Sequence, residues 1–173
     1  MKLQDKFKLG NYISSKTDEP FIWSHNDCNT FFIEFHDMMY GTDDLKRIKD
    51  KYHDRRAAIK FQKTMVSPAQ WLHLKGYEKI SAPYNWQDGD VAVNQHKYYA
   101  SGFIYFDGAF WTVVEGKTLT GYAPEAMEPH ITNGWRKIGA QIDTNKSNKK
   151  AVKEEVDIAI EESVEFIIED QED

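Results

Sequence analysis

One cysteine, Cys28, is the residue in this chain best placed to do covalent chemistry. It follows Phe21-Ile22-Trp23-Ser24-His25-Asn26-Asp27 and opens an apolar stripe, Cys28, Phe31, Phe32, Phe35 and Met39. Steps of three, one, three and four mark one face of an amphipathic helix. Asn26 or Asp27 suits the N-cap. The spacing therefore puts Cys28 in the first helical turn, where unpaired backbone N–H groups and the positive dipole end favour a thiolate. A thiolate nucleophile also needs a base or cation beside it. His25 and His96 are the candidate bases, whereas His36, His53 and His73 read as surface or partly buried residues, and His130 lies in the connection before the last strand. The alternative is that Cys28 packs as a small hydrophobe. Asp88 and Asp90 flank Gly89 and read as a turn.

The elements that must position these residues follow in order. Residues 3–15 form a first helix with Leu3, Phe7, Tyr12 and Ile13 as its apolar positions. Pro20 precedes the Cys28 helix, which ends at Tyr40-Gly41. Three short helices then start at Thr42-Asp43-Asp44, at Asp54 (running to Met65) and at Ser67-Pro68. From residue 77 the pattern changes to strands near 78–81, 91–93, 98–106, 109–114, 119–122 and 131–138, with a helical turn at 124–127. Asp107-Gly108 signals a hairpin. Helices first and strands second predict an α+β domain, N-terminal helices packed on a C-terminal antiparallel sheet. The hairpin carries Tyr98, Tyr99, Phe103, Tyr105, Phe110 and Trp111. Aromatics at odd and even positions predict either an apolar patch for a partner or a strand between two layers.

The expected division is a domain over 1–139, a polar linker over 140–150 and an acidic segment over 151–173. That last segment has ten acidic residues, one lysine and ten apolar residues among its 23, and the rest of the chain is slightly basic. Its apolar residues, Val156, Ile160, Phe166 and Ile167 among them, predict a docking tail that orders on a neighbouring subunit rather than a purely solvating one.

The whole chain has 173 residues and a net charge of −6, which argues against nucleic-acid binding. One cysteine precludes an internal disulfide and fits a reducing compartment. No apolar run is long enough for membrane insertion, and the first residues lack the apolar core of a signal peptide. There is no zinc-ligand spacing, no glycine-rich phosphate loop and no internal repeat, so neither a metal nor a cofactor is expected.

Pro20-Phe21-Ile22-Trp23, Asp27-Cys28 and Phe31-Phe32 resemble the opening of NlpC-type, papain-like cell-wall peptidase domains, and more narrowly a group of phage-encoded NlpC-like proteins. Gly89-Asp90-Val91, Gly102-Phe103-Ile104 and Gly134-Trp135-Arg136-Lys137 stand where that pattern has its Gly-Asp-Val strand, its hairpin and its closing Trp-Arg. The similarity runs over about residues 3–138. It implies a papain-like fold with Cys28 at the nucleophile position. Two departures stand out. Trp23-Ser24 replaces Trp-Gly, and Ala100 occupies the place of the histidine. The resemblance therefore implies a non-catalytic virion structural or assembly protein (tail, tail-fibre or connector) on a degenerate NlpC-like domain, made in the host cytoplasm, whose partners are other phage structural proteins or further copies of itself. The alternatives are a cysteine peptidase or amidase acting on peptidoglycan through Cys28, with His25 or His96 as substitute base, and a small phage protein that binds a host target.

Overall fold

A computed structural model describes residues 1–138. The expected linker and docking tail, with Val156, Ile160, Phe166 and Ile167, lie outside the described residues. The fold is α+β: helices occupy the N-terminal part, and a six-stranded antiparallel sheet the C-terminal part.

Helix α2 (Cys28–Tyr40) is the centre of the packing. Phe31, Phe32 and Phe35 are buried, as their spacing predicts, and Ile33 and His36 are buried beside them. The buried arc is wider than one stripe because α2 has neighbours on several sides. Helix α1 (Leu3–Ser15) lays Tyr12 on Phe31, with ring centroids 5.4 Å apart. The Tyr12 hydroxyl donates to the Phe31 carbonyl at 2.7 Å. Helix α4 (Pro68–Leu74) sets Trp71 edge-on to Phe32 at 5.4 Å. Below α2 runs the sheet. Gly102 faces the helix there, and a Cβ on it would lie 2.5 Å from the Phe32 ring, so the close approach requires glycine. Gly41, at φ +67, ends α2 in the left-handed conformation.

Local signals set most boundaries. Ser67 and Gln70 form a capping box on α4. The stretch after Gly41 is a 3₁₀ turn, Asp44–Arg47, rather than a longer helix. The Asp37 carboxylate accepts from the backbone N–H groups of Asp44 and Leu45 at 3.0 and 2.8 Å, which fastens this turn to α2. Helix α3 (Arg55–Gln62) stops three residues short of Met65. The Gln62 side chain instead bonds both backbone groups of Ala100.

The strands are β1 (Tyr77–Ile80), β2 (Val91–Gln95), β3 (Ala100–Phe106), β4 (Ala109–Val113), β5 (Leu119–Tyr122) and β6 (Asn133–Lys137). Their order is β1-β6-β2-β3-β4-β5, so the last strand enters between the first two. Val91, Val93, Ile104 and Trp135 face the helices, and Ala92, Phe103 and Phe110 face the opposite way. That second face is covered by Tyr84, Trp86 and Met127, the last from helix α5 (Pro124–Met127). Phe103 and Phe110 are 6% and 0% exposed, so they form a second core layer and not a partner patch. Tyr105 and Trp111 are half-buried against the two cores. Tyr98 and Tyr99, read as strand, belong to the β2–β3 turn, closed by His96 N–H donating to the Tyr99 carbonyl at 2.8 Å. Among the described residues, no helix is long and apolar enough to cross a membrane.

His36 gives the core a pH signature. It is buried, with Nδ1 3.1 Å from the Tyr77 hydroxyl. Burial, and then the charges of Lys137 and Lys75, push its pKa down to about 3. The unfolded chain therefore binds a proton at His36 below about pH 6.5 that the folded chain refuses. Stability is expected to fall with acidification by about 1.4 kcal/mol per pH unit from this group, between pH 6.5 and about 3. Urea unfolding of wild type and His36→Phe at pH 7 and pH 5 checks it. The variant starts lower, because the Tyr77 hydroxyl loses a partner, but shows the shallower pH slope.

Candidate functional site

The site begins at the lead-in to α2. Residues 22–26 form a tight loop, with Ile22 bridged to Asn26 and Ser24 at φ +58. The left-handed conformation at Ser24 is one that glycine adopts most readily. The loop is held by Ser24 Oγ, which accepts from Asp50 N–H at 3.0 Å, and by Asp27 Oδ2, which accepts from Ser24 N–H at 2.8 Å. Asp27 is 1% exposed and is the N-cap. Its Oδ1 accepts from Asn29 and Thr30 N–H at 2.9 and 3.0 Å, and its Oδ2 also accepts from the Tyr52 hydroxyl at 2.7 Å. The Thr30 hydroxyl completes a capping box. All of Asp27's bonds are internal, so it is a structural carboxylate.

Cys28 is half-buried and opens on a cleft of about 370 Å3 between the start of α2, α3 and the sheet. Asn94, Ser101, Thr112 and His130 line the same cleft. Despite its place in the first helical turn, the sulfur is not poised as a thiolate. Burial, and then the neighbouring Asp27 carboxylate, push the thiol up to about 12. The Ser101 hydroxyl and the N–H groups of Gly102 and Cys28 act the other way, and they do not prevail. A helix dipole worth a fraction of a charge is outweighed once the anion must leave water.

The resemblance implies Ala100 at the position of a base. Ala100 is buried and clamped by Gln62, and the side chain that reaches the thiol is that of Ser101. Ser101 pairs across the strands with Asn94. Sequence reasoning missed Ser101, because strand alternation makes a one-residue offset decisive and motif spacing does not resolve it.

The two candidate bases lie elsewhere. His25 Nδ1 is 3.2 Å from the Trp23 carbonyl, and its Nε2 is 2.9 Å from the Asp50 carboxylate. His96 stacks on Tyr99 at 4.3 Å in the β2–β3 turn. Neither lines the Cys28 cleft. His130 does, from the exposed end of the 3₁₀ turn Glu128–His130, which lies between Met127 and Ile131 of the second core layer. Nothing local in the sequence marks it, because the turn reaches the cleft only through the sheet order.

Two of the motif segments meet in space. Asp90 Oδ1 and Oδ2 accept from Arg136 Nε and Nη2 at 2.9 and 2.7 Å. This bidentate pair joins the start of β2 to β6. Asp88 is likewise structural, bonded to Asp107 N–H at 2.8 Å and paired with Lys6 at 2.7 Å. Among the described residues, no group of three or more His, Cys, Asp or Glu is arranged to hold a metal ion.

No curated protein matches the sequence. Residues 1–136 match the family described as "Domain of unknown function (DUF6950)", and the chain belongs to that family.

Proposed function

We propose that this chain is a non-catalytic binding domain on a papain-like, NlpC-like scaffold, serving as a structural or assembly component of a bacteriophage virion. The observation that carries the non-catalytic reading is the lining of the Cys28 cleft, which holds Ser101 but neither His25 nor His96, and burial pushes the thiol there up to about 12. At neutral pH such a thiol is protonated in all but a trace of molecules. The order of its motifs, Trp23 to Cys28, then Gly89-Asp90-Val91, then Trp135-Arg136, supports the phage NlpC-like scaffold. The partners that follow are other virion proteins or further copies of the chain.

Two measurements test this. Alkylation of native Cys28 by iodoacetamide is expected to stay slow up to about pH 10, in keeping with its raised thiol. Rapid alkylation at pH 7 overturns the non-catalytic reading. Mass spectrometry of purified particles is expected to find the chain, and its absence from virions removes the structural role.

A second reading, a peptidoglycan amidase or peptidase, is favoured by one observation, the presence of Cys28 and His130 in the same cleft. It requires His130 to swing inward and act as base. If release of muropeptides from purified cell walls is lost in both Cys28→Ala and His130→Ala, this second reading replaces the first.

A further inference from the structure

A second cleft, of about 380 Å3, lies on the other side of Asn29, Gln62 and Tyr99, which line both. Its floor is apolar: Phe32, Ile33, Phe61, Val66, Trp71 and Tyr98. Tyr98 is 57% exposed, which is unusual for a large aromatic side chain at the edge of a core. The stretch around it is strongly basic. Residues 46–63 hold eight lysines and arginines against two aspartates. Those aspartates are engaged, Asp50 with His25 and Asp54 as the N-cap of α3. Lys63, the residue that caps the C-terminus of α3, lines the cleft itself, and Lys60 is exposed one turn earlier, within α3.

The geometry points to one occupant, this chain's own acidic segment 151–173, docked in cis. Three observations select it. First, charge: the segment holds ten acidic residues, and Arg47 and Lys63 line the cleft within the basic stretch 46–63, where the one lining carboxylate, Asp44, is paired with Lys75. Second, pattern: Val156, Ile160, Val164 and Ile167 recur at intervals of four, four and three, the anchor spacing of a segment that lays one apolar edge into a groove. Third, reach. The described residues end beside the cleft, with Ile138 N–H donating to the Gly76 carbonyl at 3.4 Å and Lys137 bonded to the Lys75 carbonyl. Lys75 is in turn paired at 2.7 Å with Asp44, a residue of the cleft wall. A linker over 139–150 can extend about 40 Å, enough to place the segment in the cleft. The covered surface takes in Tyr98 and Tyr99, so a partner that uses these aromatics must displace the segment first.

Carbodiimide crosslinking of the full chain tests it, with carboxylates joined directly to lysines and sites mapped by mass spectrometry. Equal amounts of light and 15N-labelled chain are mixed before the reaction. The expected products join carboxylates of 154–173 to Lys60 and Lys63, within light or within heavy chains, at least tenfold above links to Lys8 and Lys117 on other elements. Ile160→Asp combined with Ile167→Asp is expected to remove them while the circular dichroism of the body is unchanged. Light-to-heavy products overturn the cis arrangement in favour of a second copy. Links spread evenly over all lysines, or none from the segment, overturn the docking site altogether.

Discussion

Ser101→His is expected to bring the Cys28 thiol down from about 12 by several pH units and to make it alkylable near neutrality. The Ser101 side chain already reaches the sulfur, so an imidazole there stands where a thiolate can pair with it. The burial that penalises a lone thiolate strengthens an ion pair once both charges share the site. Paired cysteines in such surroundings titrate far below a free thiol. The cleft of about 370 Å3 leaves room for the larger ring. The checks are thiolate absorbance near 240 nm and the pH dependence of iodoacetamide labelling, each compared with wild type and with Ser101→Ala. A folded Ser101→His protein with an unmoved midpoint means that Ser101 does not face the sulfur, and the account of the missing base fails with it. The same variant asks whether the domain keeps the rest of a catalytic apparatus. Restored thiolate without muropeptide release favours the non-catalytic reading proposed above.

Asp27→Ala is expected to have the largest effect on stability, roughly 3–5 kcal/mol by comparison with the removal of other buried, multiply bonded carboxylates. Three losses combine. Helix α2 loses its cap, typically about 1 kcal/mol. The Tyr52 hydroxyl and the Ser24 N–H, both buried, lose their acceptor, at about 1–3 kcal/mol each. The Ser24 turn also loses one of the two bonds that hold its left-handed backbone. Asp27→Asn keeps an oxygen for the cap, so about half the loss is expected. Urea unfolding at pH 7 separates the two variants. A loss below about 1 kcal/mol for Asp27→Ala confines Asp27 to ordinary capping.

Much of the domain was legible because its signals are local. The Asp27 cap, the Gly41 stop, the Ser67-Pro68 start and the Asp107-Gly108 hairpin each act within about four residues, and the structure places all of them where they were expected. The aromatic run from Phe103 to Phe110 was harder. The sequence allowed either an exposed patch or a strand between layers, and burial on both faces of the sheet decided for the latter. The Asp90–Arg136 pair was invisible at a separation of 46 residues.

The candidate site divides along the same line. By itself the sequence determined that a lone cysteine opens an amphipathic helix, that its neighbour caps that helix, and that no histidine follows at the start of the long strand. Those are statements about residue type and short-range periodicity, and nearest-neighbour physics is enough to make them. Only the tertiary structure decided that Ser101 rather than Ala100 lines the Cys28 cleft, that His25 is tied to Asp50 while His130 shares the cleft, and that burial pushes the Cys28 thiol up. The reason is electrostatic. A thiol's ionisation depends on how much water the surrounding elements exclude and on which charges they bring near. Both are set by strand register and by the way α2 settles on the sheet, not by the residues on either side of Cys28.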